Sequence, residues 1–437
     1  MKTYNKYFIA LALIILILIP IPLYALTLYS PTPDQIVREN VRFTISESAL
    51  PAGGYVGLFI GPDKEFVAGI NPNAGRRKDG KIHFFWNSKA PFRDPANPTE
   101  ERRYPDGRHL MEFRVFDSSG KMVDSAEVYI TLQNRVPRTT PAPPVRLVNS
   151  LPFGKLLRYD ARAQVSLFDN LGAPISGGLG MTSEFTIIQT IEDVRPNGDI
   201  MVRLRLDDNA AISIQGNRTF LYRNTPVRPQ LYRMLNRYGV VSNRNIFGKQ
   251  AHYSIMDVIP VLPSRPAKEG DSWQSELEVN IEGLARPMLL KGNSMLDSFE
   301  WQDGRRCAKI ISRLSSDTRI NMLDGKIKTA AGGKVNAIVT TFFAYESGRM
   351  IKRNIKLEFN ADLDQSLIGG RLQSGTSTAP GSMTPSMMLP RAGRPAFDEE
   401  DDEKYGTPET QSSHGITELS GTRPGIVQID VDVRVRF

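Results

Sequence analysis

Cysteine is almost absent from this chain. Cys307 is the sole thiol in 437 residues, so no internal disulfide can form. A chain of this length does not need one, because it can bury large cores. Cys307 therefore reads as a small buried apolar residue, although the alternation Ala308, Ile310, Ser312, Leu314 puts it on the opposite face of its strand. An intermolecular disulfide is the remaining use. Histidine is scarce too. His83, His109, His252 and His414 are the full set, and none belongs to an HExxH or other paired motif. His109 and Glu112 are three apart on an expected strand, so they point to opposite faces and cannot share a metal. No Gly-x-Ser-x-Gly elbow occurs, which removes the common serine hydrolase layout.

Phosphate loops are missing as well. Ser176-Gly177-Gly178-Leu179-Gly180 leads into a strand and not a helix, so it lacks the helix N-terminus that phosphate binding uses. Lys328 to Lys334 lacks the first glycine and the Ser/Thr after lysine. The acidic run Asp398 to Glu403 lacks the spaced ligands and turn glycine of a calcium loop. Met383, Met387 and Met388 form a patch in Ser/Pro-rich sequence and imply no specific metal site. The sequence thus nominates no catalytic, cofactor-binding or metal-binding residue and no cofactor.

What is present begins with a secretory layout. Lys2 and Lys6 precede an unbroken apolar stretch, Phe8 to Ile19, that Pro20 and Pro22 end; Leu23-Tyr24-Ala25 offers a cleavage site. Residues 1–25 are expected to be a signal peptide, which locates the chain outside the cytoplasm, in the periplasm, the cell envelope or secreted. An uncleaved anchor is the alternative, since Phe8 to Tyr29 approaches the ~20 apolar residues of a membrane span. Hydrophobic residues make up 40% and charged residues 23%, a globular composition. The net charge of +8 and pI of about 9.4 are mildly basic, with both signs interspersed. This favours anionic envelope surfaces at long range and gives no reason to expect nucleic acid.

Period-2 alternation dominates the rest. Residues 26–135 read as one domain, with strands at Asn40 to Ser46, Tyr55 to Ile60 and Ile82 to Trp86. A further strand carries His109, Met111, Phe113 and Val115 on one face, and a closing strand carries Ala126, Val128, Ile130 and Leu132. Trp86 is expected in the core. Residues 136–152, with Pro137, Pro141, Pro143 and Pro144, read as a stiff, extended and exposed linker. Residues 153–364 read as a second, larger domain of long strands. Leu157 to Leu167 and Ile200 to Leu206 carry apolar residues at every second position; Trp273, Leu277, Val279 and Ile281 share one face, and so do Ile351, Arg353, Ile355, Leu357, Phe359, Ala361 and Leu363. Residues 365–425 are rich in Ser, Thr, Gly and Pro and read as a disordered insertion. In residues 426–437, Val427, Ile429, Val431, Val433, Val435 and Phe437 alternate with polar residues, a complete half-buried strand. A lone strand is not stable, so it is expected to return to the second domain, beside Met350 to Leu363.

The core Trp86, then Tyr104-Pro105-Asp106-Gly107-Arg108-His109, an alternating strand, Asp117-x-x-Gly120 and a closing strand ending at Asn134 together resemble bacterial immunoglobulin-like domains. That resemblance implies a β-sandwich and leaves function open, since such domains serve as spacers, adhesion modules and docking modules alike. The second domain, with Leu262-Pro263 leading into Gly270-Asp271-Ser272-Trp273 between long meandering strands, resembles an uncharacterised group of exported bacterial β proteins. The expected fold class is mainly β, an immunoglobulin-like sandwich followed by a larger antiparallel sheet or half-barrel. The leading functional expectation is a non-enzymatic envelope or secreted scaffold, whose partner is an envelope protein or an anionic cell-surface component. A carrier of a lipid or other apolar ligand in a β half-barrel is the second. An outer-membrane barrel and an enzyme without a recognisable motif follow.

Overall fold

The computed structural model describes residues 26–62, 64–70, 76–94, 97–175, 180–214, 217–220, 230–243, 258–279, 288–322, 325–364, 367 and 422–437. The expected signal peptide, His252, His414, the Gly loop at 176–179, the methionine patch and the acidic run lie outside the described residues. The chain is almost all β and divides into two compact units, Met1–Pro137 and Arg138–Phe437.

The first unit has two principal sheets. One orders Leu28–Ser30, Asn40–Ser46, Lys81–Asn87 and Arg76–Lys78; the other orders Gln35–Val37, Met122–Leu132, Gly107–Phe116, Tyr55–Ile60 and Glu65–Ile70. Alternation supplies the core between them. Phe43, Ile45 and Ile82 from one sheet and Leu58, Met111, Phe113 and Ile130 from the other are fully buried. The Phe43 and Phe113 rings meet edge to face at 5.1 Å across the gap. Trp86 is inward but only half-buried, at the margin of this core. It stacks on Phe43 at 6.3 Å and meets Tyr104 at 5.9 Å. The arrangement is a β-sandwich of two facing sheets.

The second unit is built on one 15-stranded antiparallel sheet. The long strands run in spatial order Gln230–Leu235, Ile200–Leu206, Met181–Val194, Leu156–Asp169, Thr422–Arg436, Arg349–Asp364, Val335–Ala344, Arg305–Ser316, Met288–Gln302 and Ser272–Val279. The C-terminal strand Thr422–Arg436 therefore lies in the middle. It pairs antiparallel with Arg349–Asp364 on one side and with Leu156–Asp169 on the other. Its apolar positions Val427, Ile429, Val431, Val433 and Val435 are all buried, together with Leu157, Tyr159, Ile187, Val202, Leu204, Ile355, Leu357 and Phe359 from neighbouring strands. The sheet curls as a half-barrel around this core. The curl brings strands from opposite ends of the order together, because the Arg233 guanidinium forms an ion pair with Glu278.

The segment expected as an exposed linker is a correction. Residues 139–141, 143 and 144 are exposed, but Val145 bridges to Ala267, and the Ser150 backbone N–H donates to Gly348 O at 3.0 Å. Leu147 is fully buried, and the Arg138 guanidinium lies 4.0 Å from the Phe299 ring. Proline fixes an extended path; the apolar residues between and after the prolines make that path part of the second unit. Cys307 and Ala308 alternate in direction yet are both fully buried, so both faces of the Arg305–Ser316 strand are covered at this end.

Candidate functional site

The motif residues of the first unit have structural work. In Tyr104-Pro105-Asp106-Gly107, the Asp106 carboxylate accepts the backbone N–H groups of Asn134 at 2.8 Å and Arg135 at 2.7 Å. Gly107 takes φ +141°, a region that side-chain-bearing residues avoid. The His109 Nε2–Pro105 O distance is 2.7 Å, and His83 Nδ1 lies 3.0 Å from Thr44 Oγ1. These histidines order a turn and a strand pair. Glu112, nearly buried, is 2.7 Å from the Arg114 guanidinium and 3.1 Å from the Lys64 ammonium. The Arg114 hydrogen bond, joined by Lys64, holds its carboxyl below the ordinary value of 4.5 against the opposing effect of burial. Among the described residues, no three His, Cys, Asp or Glu side chains gather closely enough to hold a metal ion.

Two features of the second unit remain. The first is the seam where the half-barrel meets itself. The Leu262 N–H donates to Tyr238 O at 2.8 Å, and Trp273 Nε1 donates to Val261 O at 3.0 Å. A Cβ at Gly239 would lie 2.1 Å from Pro260 O. The 258–262 segment thus clasps the hairpin Gln230–Asn243 to the strand Ser272–Val279. Behind the clasp is a cavity of about 30 Å³, lined by residues that include Ile259, Leu277, Val339, Thr341 and Arg353. Arg353 is buried and donates from Nε to Thr341 Oγ1 at 3.2 Å; Ser294 and Ser312 hydroxyls meet at 2.6 Å. This volume suits a water or two, far below the several hundred Å³ of a small-molecule site. Arg233 and Arg353 are the residues that sequence reasoning left without a role. The signal was present: each sits in an apolar register, Leu231-x-Arg233-x-Leu235 and Ile351-x-Arg353-x-Ile355.

The second feature is the outer face of the four central strands. Polar positions of Leu156–Asp169, Thr422–Arg436, Arg349–Asp364 and Val335–Ala344 stand side by side there. The Arg436 guanidinium forks onto Asp160 at 2.9 and 2.6 Å. Asn354 donates to Asp432 at 3.0 Å, with Lys352 at 3.8 Å from the same carboxylate. Two shallow grooves of about 350 Å³ each cross this ladder, one past Arg162, Gln164, Asn354, Lys356 and Asp430, the other past Asp160, Glu184, Asn209 and Arg434. Such a surface offers paired charges and amide groups in fixed register. It suits polar recognition.

No protein-family model matches the chain, and no curated protein matches it.

Proposed function

We propose that the chain is an extracytoplasmic, non-catalytic binding scaffold whose second unit presents the charged outer face of its central strands to an envelope protein. The observation that carries this reading is the ladder itself, a surface with charges of both signs held by cross-strand pairs. Interspersed signs fit a protein surface of complementary charge, which fixes register and discriminates against wrong partners. The first unit then acts as an immunoglobulin-like spacer or docking module, and the N-terminal apolar stretch supports export. Two further observations favour this over the alternatives. The core of the curled sheet is packed with its own side chains, such as Tyr159, Leu204 and Phe359, which leaves the seam cavity too small for an acyl chain. The outer positions of the central strands are mostly charged or polar, Ile338 excepted, whereas a membrane barrel turns apolar side chains outward.

A photo-crosslinking residue at Gln164 or Asn354, in the producing cell, tests the proposal. A discrete protein adduct is expected, lost when Arg162 and Lys356 are both changed to Glu. Adducts that survive this double charge reversal, or none at either position, would overturn it.

A further inference from the structure

Among the described residues, Arg305 and Arg349 have no ion-pair partner, and unlike the solvated lysines and arginines of the outer face they are half-buried. Each opens a strand, Arg305–Ser316 and Arg349–Asp364, at the end of the sheet where Phe437 lies. Both guanidinia lie against one ring, with Arg305 4.7 Å and Arg349 5.5 Å from the Phe437 centroid. The Nε atoms of both are buried without an acceptor. Among the described residues, neither guanidinium has a carboxylate within ion-pair distance. The strongest charge acting on Arg349 is another cation, Arg305, which adds to burial in lowering its proton affinity. Tyr159 is close enough to feel Arg349 and Arg353. It is fully buried, and burial raises its phenol well above the ordinary value of 10, so it stays neutral and cannot serve as counter-ion.

Two half-buried guanidinia against one ring, with no ion-pair partner among the described residues, repel each other and leave donors unused. This arrangement costs stability unless something negative completes it. The fork of N–H donors matches an oxyanion in bidentate geometry. The exposed Phe437 ring gives an apolar surface next to the charge. We propose that Arg305, Arg349 and Phe437 form a binding site for a phosphate group, with the two guanidinia gripping the oxygens and the ring supporting the rest of the ligand. The site is separate from the charged ladder, and its reading does not depend on the scaffold proposal.

The test uses the full chain. Modification of arginines by phenylglyoxal, mapped by peptide mass, is followed with and without inorganic phosphate, and sedimentation with phosphatidylglycerol or phosphatidylcholine vesicles is measured in parallel. Phosphate is expected to slow modification of Arg305 and Arg349 and not of the exposed Arg313. Arg305→Gln with Arg349→Gln is expected to weaken phosphate binding by about tenfold per guanidinium. Selective sedimentation with phosphatidylglycerol that the double variant loses would assign the phosphate to a lipid headgroup. Protection by free phosphate without sedimentation would assign it to a soluble phosphate. Equal modification rates with and without phosphate, together with vesicle behaviour unchanged in the double variant, would overturn the proposal. The protection measurement needs no variant, so a folding defect in the substituted chain does not obscure it.

Discussion

Removing the last sixteen residues, Thr422 to Phe437, should abolish folding of the second unit. The strand supplies five core side chains, Val427, Ile429, Val431, Val433 and Val435, all at most 7% exposed. Burying an aliphatic side chain of this size is worth ~1.5–3 kcal/mol, so the five together contribute about 7–15 kcal/mol. The total stability of a domain is ~5–15 kcal/mol. Deletion also unpairs the backbone of both flanking strands, Leu156–Asp169 and Arg349–Asp364, and leaves two long edges open to aggregation. A graded version makes the argument quantitative. Val431 is 2% exposed and stands between Ala163 and Ile355. Val431→Ala loses two carbons at ~0.8 kcal/mol each plus a cavity term, about 2–3 kcal/mol in all. Gln164→Ala, on the exposed face of the neighbouring strand, should stay within ~0.5 kcal/mol. Urea unfolding in a Trp86→Phe background reads the second unit alone, because Trp273 and Trp301 are then the remaining indoles. A truncated chain with an unchanged transition, or equal midpoints for the Val431 and Gln164 variants, would refute the reasoning.

Other outcomes follow from the same geometry. Glu278→Gln or Arg233→Met should each lower the stability of the second unit, because each removes one partner of the ion pair at the seam; urea midpoints measure it. Gly239→Ala should also lower the second unit's midpoint, since its Cβ would collide with Pro260 O in a backbone conformation, φ +77°, that alanine avoids. Glu112 has a folded pKa below its ordinary 4.5, so its stabilisation is complete above the unfolded value and is lost as pH falls through the folded one. The first unit should therefore weaken on acidification below about pH 5, and Glu112→Gln should flatten that part of a melting-temperature profile. Cys307 is fully buried and should resist Ellman's reagent until the second unit unfolds.

The fold class was legible because strand alternation is a local signal. The residues 427, 429, 431, 433 and 435 read as one buried face from sequence alone, and so do Leu157, Tyr159 and Leu167. The neighbour of a strand is not local. Alternation gave no sign that Leu156–Asp169 flanks the terminal strand on its second side, because that pairing depends on how the whole sheet curls. The linker misled for a related reason. Prolines such as Pro141, Pro143 and Pro144 set its backbone shape, while the burial of Leu147 and Leu151 depends on a surface that other segments build. The ladder was legible as polar positions, Arg158, Asp160, Arg162 and Lys352, Asn354, Lys356, but not as pairs. The Arg305–Arg349–Phe437 cluster joins three strand ends distant in sequence, and no spacing rule brings them together.

The position of the terminal strand has a consequence for how the second unit forms. Asp160 and Arg436 are hydrogen-bonded across a separation of 276 residues, and the strands that carry them are direct neighbours. Until the strand Thr422–Arg436 exists, Leu156–Asp169 and Arg349–Asp364 each lack that neighbour, and the apolar faces on both sides of the gap are uncovered. Contacts between residues this far apart are slow to form, because chain entropy must be lost before the pairing repays it. The sheet therefore cannot be completed strand by strand as the chain is made; its two halves wait for the last strand to join them. Exposed edges and apolar faces are the conditions under which chains aggregate. The prediction is kinetic. Refolding of the second unit should slow when Val431 or Val433 is cut back to Ala if the terminal strand is in place at the transition state, whereas only unfolding should accelerate if it docks afterwards. Stopped-flow refolding of the Trp86→Phe chain separates the two. Unfolding rates that rise alone would remove the terminal strand from the rate-limiting step.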